Sequence, residues 1–323
     1  MTTTSAAGAA APVGTGVAAR IAHAERATVS FELYPPRTPA GMTSLQRAVE
    51  HLAGARPDFF SVTYGASGST RETSREVVRW LKTNTDADVV AHLTCVGVPW
   101  AELRRTAEGF LEEGVRDLLA LRGDPPQGAA HWEPHPDGLR SGSELVARLR
   151  ELAAEHGVPL SIGVAATPSA AWARPGDVAV PEADDVLALL AKQRAGADYA
   201  ITQVFFEPET YAGYVAAARA AGVTMPVLPG IVPLVEPARL RRLQEISGVP
   251  VPPAVLAQLD RAADDAERAL VGRRLGVGLV DRVLGAGAPG VHLYTFNTHP
   301  ASLDLLAALD RPVPPSTSGP VAG

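Results

Sequence analysis

Three features of the sequence predict a single (β/α)8 barrel, an α/β fold in which eight parallel strands alternate with helices. Short runs of β-branched and aromatic residues recur eight times, and most of them are continuously apolar, as expected for strands covered on both faces. Longer segments with helical spacing of apolar residues separate these runs. Eight such strand and helix pairs are the number that closes a barrel.

The predicted elements follow one another in a regular order. The eight strands are 28–33, 59–64, 89–94, 117–121, 160–165, 199–205, 227–231 and 291–296. The helices between them are 44–53, 70–82, 100–113, 143–155, 183–195, 208–221 and 237–246. Two extra helices, at 254–270 and 275–284, are predicted between strands seven and eight. Because such insertions are compatible with a barrel, they do not indicate a second domain.

The barrel is predicted to occupy residues 21–310, between two unstructured tails. Residues 1–20 are small and polar with no charge before Arg20, so they lack the early positive charge of a signal peptide. Residues 311–323 are rich in Pro, Ser and Gly and show no apolar period.

The composition excludes several classes of function. Lys and Arg number 29 against 35 Asp and Glu, and no ten-residue segment is strongly basic, so nucleic acid is not an expected partner. No run of 18 apolar residues is present, so no membrane association is expected. The single cysteine, Cys95, excludes an internal disulfide and a cysteine metal cluster, which suits a cytoplasmic protein. His131 and His135 are not expected to bind a metal, because Pro134 disfavours the helix that would align them.

Glu32 is the candidate with the most direct chemical interpretation. In this fold the chemistry lies at the C-terminal ends of the strands, and Glu32 is a carboxylate near the end of the first, apolar strand. Burying such a group costs several kcal/mol unless it is paired or protonated. Glu32 is therefore either a structural ion-pair partner or a general acid.

Other strand ends carry further candidates, each with a structural alternative. His92, at the end of the third strand, is either a core residue or a ligand contact. Arg122 and Asp124 flank Gly123 after the fourth strand, and they form either a local ion pair or two opposite charges for one ligand. Gln203, after the sixth strand, can bind the edge of a heterocycle or satisfy neighbouring backbone groups.

Taken in order, the strand-end motifs resemble those of the methylenetetrahydrofolate reductase family. The matching segments are 29–36 (VSFELYPP), 60–70 (FSVTYGASGST), 92–95 (HLTC), 119–125 (LALRGDP), 163–166 (GVAA), 195–206 (AGADYAITQVFF), 229–233 (PGIVP) and 292–297 (HLYTFN). Each motif is modestly specific, but eight in the right order form a strong match. The resemblance implies a TIM barrel that contains FAD and reduces 5,10-methylenetetrahydrofolate to 5-methyltetrahydrofolate with NADH or NADPH. A small-molecule folate is then the expected substrate.

The resemblance also implies roles for individual residues. Glu32 matches the general acid, which protonates N10 of the folate and opens its five-membered ring to a 5-iminium cation. Asp124 matches a second catalytic carboxylate, whose negative charge favours that cation. Gln203 and Phe296, together with Asp124, match the substrate-binding positions. The positions that match flavin contacts are Thr63, Tyr64, Ala66, His92, Arg122, Gly123, Asp124, Asp185 and Lys192, and the cations Arg122 and Lys192 are the expected diphosphate partners.

The sequence departs from the family pattern on the adenosine side of the flavin and at the folate rim. Thr167 and Ala171 stand where an aromatic residue and an imidazole contact the flavin. Leu243 replaces an aromatic residue that stacks on the nicotinamide, and Thr298 replaces an arginine. Weak retention of the flavin, or its absence, is therefore an open alternative.

Three functional hypotheses remain. The first is a flavin-dependent reductase, and the second is a flavin-free enzyme in which hydride passes directly from the nicotinamide to the folate iminium. The third is a catalytically silent barrel that binds folate or flavin, which the retained carboxylates Glu32 and Asp124 disfavour. The sequence leaves open the choice between NADH and NADPH, the physiological direction and the oligomeric state, including a homo-oligomer.

Overall fold

A computed structural model describes residues 16–64, 68–123, 134–173 and 180–309 of the chain. Its strands form one all-parallel sheet that closes into the predicted TIM barrel, in the order β7-β6-β5-β4-β3-β2-β1-β9-β8. The strands are β1 (Thr28–Leu33), β2 (Phe59–Val62), β3 (Asp88–Thr94), β4 (Asp117–Leu121), β5 (Ser161–Ala166), β6 (Tyr199–Thr202), β7 (Val227–Leu228), β8 (Gly230–Ile231) and β9 (Gly290–Tyr294).

Helices surround this sheet on the outside. They are α1 (Gly16–Ala22), α2 (Pro39–Ala53), α3 (Gly68–Asn84), α4 (Trp100–Glu112), α5 (Gly142–His156), α6 (Val180–Arg194), α7 (Pro208–Ala220), α8 (Pro237–Ser247), α9 (Pro253–Asp260), α10 (Asp265–Gly285) and α11 (Pro300–Ala307), with a short 3-10 helix at Ala170–Ala173. Within the described residues, no helix has the length and apolarity to cross a membrane.

The seventh predicted strand is divided into two short strands around Pro229. Proline has no N–H to donate to a strand ladder, but its carbonyl accepts a hydrogen bond from the His292 amide at 3.0 Å. The next amide, of Gly230, turns to the Thr202 hydroxyl at 2.9 Å. Because β7 pairs with β6 and β8 pairs with β9, the two pieces together fill one position and close the barrel.

The predicted boundary between the two extra helices is wrong. The chain breaks at residues 261–264 rather than at 271–274, so residues 265–270 belong to α10. The cause is a local capping arrangement: the Asp264 side chain accepts from the Glu267 amide at 2.8 Å, and the Glu267 carboxylate accepts from the Ala263 amide at 2.6 Å. This reciprocal pair satisfies two otherwise unpaired helix donors and fixes the start of α10.

The unstructured N-terminal tail predicted for residues 1–20 is wrong for residues 16–20, which form most of α1. Val17 and Ile21 are buried on one face of this helix. Its first amides bind groups at the starts of two strands: Val17 N donates to the Asp117 carboxylate at 2.7 Å, and Ala18 N donates to the Ser161 hydroxyl at 3.1 Å. Helix α1 therefore covers the N-terminal end of the barrel. Residues 1–15 and 310–323 lie outside the described residues.

The interior of the barrel is filled on the side of α1. An apolar cluster joins Val17, Ala18 and Ile21 of α1 to side chains that point inward from the strands, namely Phe59, Val90, Leu119, Tyr199, Ile201 and Leu228. A second, larger core packs the outer faces of the strands against the helices. Ligand chemistry is therefore confined to the other end of the barrel, where the strands terminate.

Candidate active site

A cavity of about 730 Å³ opens at the C-terminal ends of the strands. It gathers most of the residues that the sequence singles out, from strands that are far apart along the chain. Those residues are Glu32, Thr63, Tyr64, His92, Arg122, Gly123, Asp185, Lys192 and Gln203. Ala66 and Asp124 lie outside the described residues. Phe296 lies outside the cavity lining, where its ring packs under the guanidinium of Arg239 at 5.1 Å from Cζ to the ring centroid.

Strand alternation directs Glu32 into the cavity. Its neighbours Phe31 and Leu33 are fully buried in the outer core, so the intervening side chain faces the barrel interior. Two imidazoles flank its Oε2 atom: His292 Nε2 at 3.7 Å and His92 Nε2 at 3.8 Å. In the described part of the chain these histidines are the basic groups within 4 Å of Glu32, and no lysine or arginine pairs with it.

His92 does not supply a positive charge to this carboxyl group. Burial lowers the pKa of His92 to about 4, against the opposing attraction of Glu32, so its imidazole is neutral near pH 7. Its Nε2 atom has no hydrogen-bond partner among the described residues. His92 therefore does not form an ion pair with Glu32 near pH 7.

His292 is a site residue that the sequence analysis missed. It is fully buried, its Nδ1 lies 2.8 Å from the Ser30 hydroxyl, and its Nε2 lies 3.4 Å from the Ser61 hydroxyl. His292 opens the motif 292–297 and lies two positions before the end of β9, but it was not among the strand-end candidates. The alternation of β9, which places His292 and Tyr294 on one face, was the available signal.

The loop after β9 fixes the end of β1. Thr295 donates from its hydroxyl to the Glu32 carbonyl at 2.8 Å. The Asn297 amide group binds both backbone groups of Tyr34, at 3.0 and 2.8 Å. Phe296 and Asn297 both adopt left-handed backbone conformations, with φ of 52° and 57°. Strain of this kind persists where the surrounding contacts over-determine the backbone, and here those contacts hold Glu32 in place.

Cationic side chains lie on another part of the cavity wall. Arg122, Arg140 and Lys192 line it, and the sequence analysis did not single out Arg140. Lys192 donates from Nζ to the Ala165 carbonyl at 2.8 Å, and burial lowers its pKa. Three cations on one wall suit an anionic ligand such as a diphosphate. Asp185 lies beside them and accepts from the Thr167 hydroxyl at 3.0 Å.

Gln203 presents one end of its amide to the cavity. Its Oε1 accepts a hydrogen bond from the Val204 amide at 2.8 Å. Its backbone N–H donates to the Ala166 carbonyl at 2.7 Å, which fixes the backbone at the end of β6. The nitrogen of the side-chain amide therefore remains as the donor for a ligand.

The positions that depart from the family pattern are engaged in local packing. The Thr167 hydroxyl is occupied by Asp185, and Ala171 lies in the 3-10 helix Ala170–Ala173. The next residue, Trp172, is buried edge-on against Tyr214 with ring centroids 5.8 Å apart. The described part of this loop thus supplies no aromatic face to the cavity.

No group of three or more His, Cys, Asp or Glu side chains in the described ranges could hold a metal ion. Cys95 is buried, and burial raises its pKa to about 11, so its thiol is protonated and unreactive near pH 7.

Comparison with known proteins identifies relatives along most of the chain. A family model described as Methylenetetrahydrofolate reductase matches residues 17–310. The 5,10-methylenetetrahydrofolate reductase of Escherichia coli (strain K12) is 33% identical over 274 residues, which cover 83% of this chain and 86% of that protein. A Zea mays protein named Methylenetetrahydrofolate reductase (NADH) 1 is 29% identical over 289 residues, covering 88% of this chain and 48% of that protein.

Among solved structures, the chain is similar to a Clostridium thermocellum protein that binds two copies of 5-methyl-5,6,7,8-tetrahydrofolic acid. The TM-score is 0.55 at 15% sequence identity, and the match covers 85% of this chain and 91% of that one. At this level of identity the similarity bears on the fold alone.

Proposed function

The chain belongs to the methylenetetrahydrofolate reductase family, and we propose that it reduces 5,10-methylenetetrahydrofolate to 5-methyltetrahydrofolate with a reduced nicotinamide as electron donor. The observation that carries this proposal is the placement of Glu32. Its carboxyl group faces the cavity between two buried imidazoles, and no arginine or lysine in the described residues pairs with it. A carboxyl group that faces a substrate cavity without a cationic partner is placed to transfer a proton to a bound folate.

The proposed reaction begins with proton transfer from Glu32 to N10 of the folate. The bond between N10 and the bridging carbon then breaks, and N5 with this carbon becomes an iminium cation. Hydride addition to the carbon completes the methyl group. Asp124 is proposed to stabilise the cation by its negative charge, and Gln203 to bind the pterin through its free amide nitrogen.

The site residues fit FAD at its diphosphate, where Arg122, Arg140 and Lys192 would hold the two phosphates. Thr63, Tyr64 and His92 line the part of the cavity near Glu32 and would contact the flavin ring. When bound, FAD would take two electrons from the reduced nicotinamide and pass them on as hydride.

A flavin-free enzyme is the second candidate, and one observation favours it. The described part of the loop after β5 offers the cavity neither the aromatic face nor the imidazole that resemblance to the family predicts, because Thr167 binds Asp185 and Trp172 packs against α7. In that case the nicotinamide would bind directly beside the folate. The chemistry assigned to Glu32 is the same for both candidates.

The replacement Glu32→Gln tests the proposed function. We expect methylenetetrahydrofolate reduction to fall by about 10²- to 10⁴-fold, the usual contribution of a general acid. Folate binding, measured by isothermal titration, should change little, because glutamine keeps the shape of the side chain. Glu50→Gln, at an exposed position of α2, is the matched control and should retain full activity. A Glu32→Gln enzyme with near wild-type folate reduction would overturn the assignment.

A further inference from the structure

Behind Glu32 lies a hydrogen-bonded pair that the proposed chemistry does not yet use. Ser30 and His292 are both fully buried and face each other across the pairing of β1 with β9. The Ser30 hydroxyl oxygen lies 2.8 Å from His292 Nδ1 and 3.3 Å from the Val291 carbonyl oxygen. The other nitrogen of the ring, Nε2, faces Ser61 at 3.4 Å and Glu32 at 3.7 Å.

These contacts distinguish the two neutral forms of His292. A carbonyl oxygen can only accept, so the single hydroxyl proton of Ser30 is directed to Val291. The hydroxyl oxygen then accepts a hydrogen bond from Nδ1–H, and the ring proton resides on Nδ1. Nε2 is left with its lone pair toward Glu32.

We propose that Ser30 and His292 are positioning residues that keep the carboxyl group of Glu32 in its proton-donating form. This inference rests on the proposed function, in which Glu32 is the general acid. At the 3.7 Å that separates Nε2 from Glu32 Oε2, a lone pair on Nε2 attracts the proton of a carboxyl group and repels a carboxylate. The opposite tautomer would place an N–H at the same point and would stabilise the ionised carboxylate, which cannot protonate the folate.

The other groups that face His292 do not supply a competing charge. His92, on β3, is neutral, and Ser61 and Phe59, on β2, are uncharged. Burial raises the pKa of Tyr294, which therefore keeps its proton and donates it to the Thr202 carbonyl at 2.9 Å. Among the described side chains that face His292, Glu32 is thus the carboxyl group on which its tautomer acts.

The replacement Ser30→Ala tests the proposal through the pH profile of folate reduction. Removing the hydroxyl releases Nδ1, so we expect the alkaline limb of kcat to move down by about one pH unit. Activity on that limb falls about tenfold, which corresponds to the 1.4 kcal/mol of one hydrogen bond, while the rate on the acid plateau stays within twofold. Ser30→Thr, which keeps the hydroxyl, should restore the profile.

Ser302→Ala is the matched control, because it removes an equally buried serine hydroxyl from α11, outside the cavity. Its profile should be that of the wild type. An unchanged alkaline limb in Ser30→Ala, with Glu32→Gln inactive, would overturn the proposal for Ser30 and His292 alone. Wild-type activity in Glu32→Gln would instead overturn the proposed function.

A spectroscopic measurement on the unmodified protein tests the same point without a rate. Long-range 1H–15N correlation spectra of the ¹⁵N-histidine-labelled protein distinguish the two neutral tautomers of each of its eight histidines. His292 is assigned by comparison with His292→Gln. We expect the Nδ1–H form in the wild type and loss of that preference in Ser30→Ala. The Nε2–H form in the wild type would overturn the proposal.

Discussion

At the scale of single residues, backbone groups and neighbouring loops hold the residues of the site in position. Gln203 has its oxygen bound to the Val204 amide, and Lys192 has its ammonium bound to the Ala165 carbonyl. Glu32 is held through its backbone carbonyl by Thr295. Each anchoring contact comes from backbone at a strand end or from the loop that follows it, so orientation is fixed before a ligand arrives and little side-chain entropy is lost on binding.

The replacement Gln203→Glu tests the nitrogen of the side-chain amide without removing the oxygen that binds Val204. Glutamate keeps an oxygen for the Val204 amide but replaces the NH2 donor with a second, negatively charged oxygen. We expect the KM for the folate to rise about tenfold or more, since a hydrogen bond to the ligand is worth about 1 kcal/mol and the new charge is left unpaired. The KM for the nicotinamide, measured in the same steady-state experiment, is the internal control. An unchanged folate KM would remove Gln203 from the substrate site.

At the scale of elements, α1 is the clearest case of a helix whose position depends on distant groups. Its first amides are capped by Asp117 and Ser161, the first residues of β4 and β5, more than 90 residues later in the chain. Burial raises the pKa of Asp117 to about 6, although the Val17 amide and Ser161 oppose this shift by binding the charged form. Ionisation of the Asp117 carboxyl group therefore costs free energy at the position where it caps α1.

This environment predicts a pH dependence of stability. Between the ordinary aspartate pKa of 3.8 and about 6, the folded chain holds more protons than the unfolded chain. Asp117 therefore lowers the free energy of unfolding as pH rises through this window, by about 1.4 kcal/mol for each pKa unit, and the loss persists above pH 6.

Asp117→Asn removes the titration and keeps an oxygen for the Val17 amide. The melting temperature of the variant minus that of the wild type, measured by circular dichroism, should be several degrees larger at pH 7.5 than at pH 4. Asp281→Asn, at an exposed position of α10, controls for the general loss of a charge. Parallel melting temperatures for wild type and Asp117→Asn across this range would contradict the prediction.

At the scale of the whole molecule, the barrel has one end covered and one end open. Helix α1 and the apolar cluster fill the N-terminal end, while the cavity occupies the ends of the strands on the opposite side. The cavity itself is asymmetric, with Glu32 and the neutral imidazole of His92 on one part of the wall and three cations on another. A ligand with both a flat ring and a diphosphate matches this division.

The residues at positions 167 and 171 lead to a prediction for the flavin content of the purified protein. The loss of an aromatic stack and a polar contact at Thr167 and Ala171 removes about 1.5–2.5 kcal/mol, which weakens FAD binding roughly ten- to fifty-fold. We expect sub-stoichiometric flavin by visible absorbance. Added FAD should raise the melting temperature, because a ligand at 100 times its Kd stabilises the fold by about 2.7 kcal/mol, and it should increase folate-dependent NADH oxidation.

Lys192→Met serves as the matched variant, since it keeps the length of the side chain but removes a cation from the diphosphate wall. The FAD concentration that raises its melting temperature by a given amount should be about tenfold higher than for the wild type. Full folate-dependent activity of flavin-free protein, with no change in melting temperature on addition of FAD, would contradict the prediction and support direct hydride transfer.

The architecture could be predicted from the sequence because continuous apolar runs and helical periods are local properties. Prediction from the sequence fails where the contacts or the local structure of a residue depend on partners that are distant along the chain. His292 contacts Ser30, 262 residues away in sequence, and α1 forms against Asp117. Pro229 divides a strand that its apolar neighbours predicted to be continuous. The start of α10 is the exception, because the Asp264 and Glu267 pair was a local signal.

The first strand of the barrel, β1, pairs with the last strand, β9. During synthesis, Glu32 leaves the ribosome early, but His292 and Thr295, which flank and anchor it, emerge only when the last strand has been made. Until then the edge of β1 that pairs with β9 is unpaired. Closing the long loop between these two strands is slow, because the entropy of the chain must be lost before the contacts form. A nascent chain that stops short of residue 290 therefore lacks β9, so the contacts of Glu32 with His292 and Thr295 form only after this strand has been synthesised.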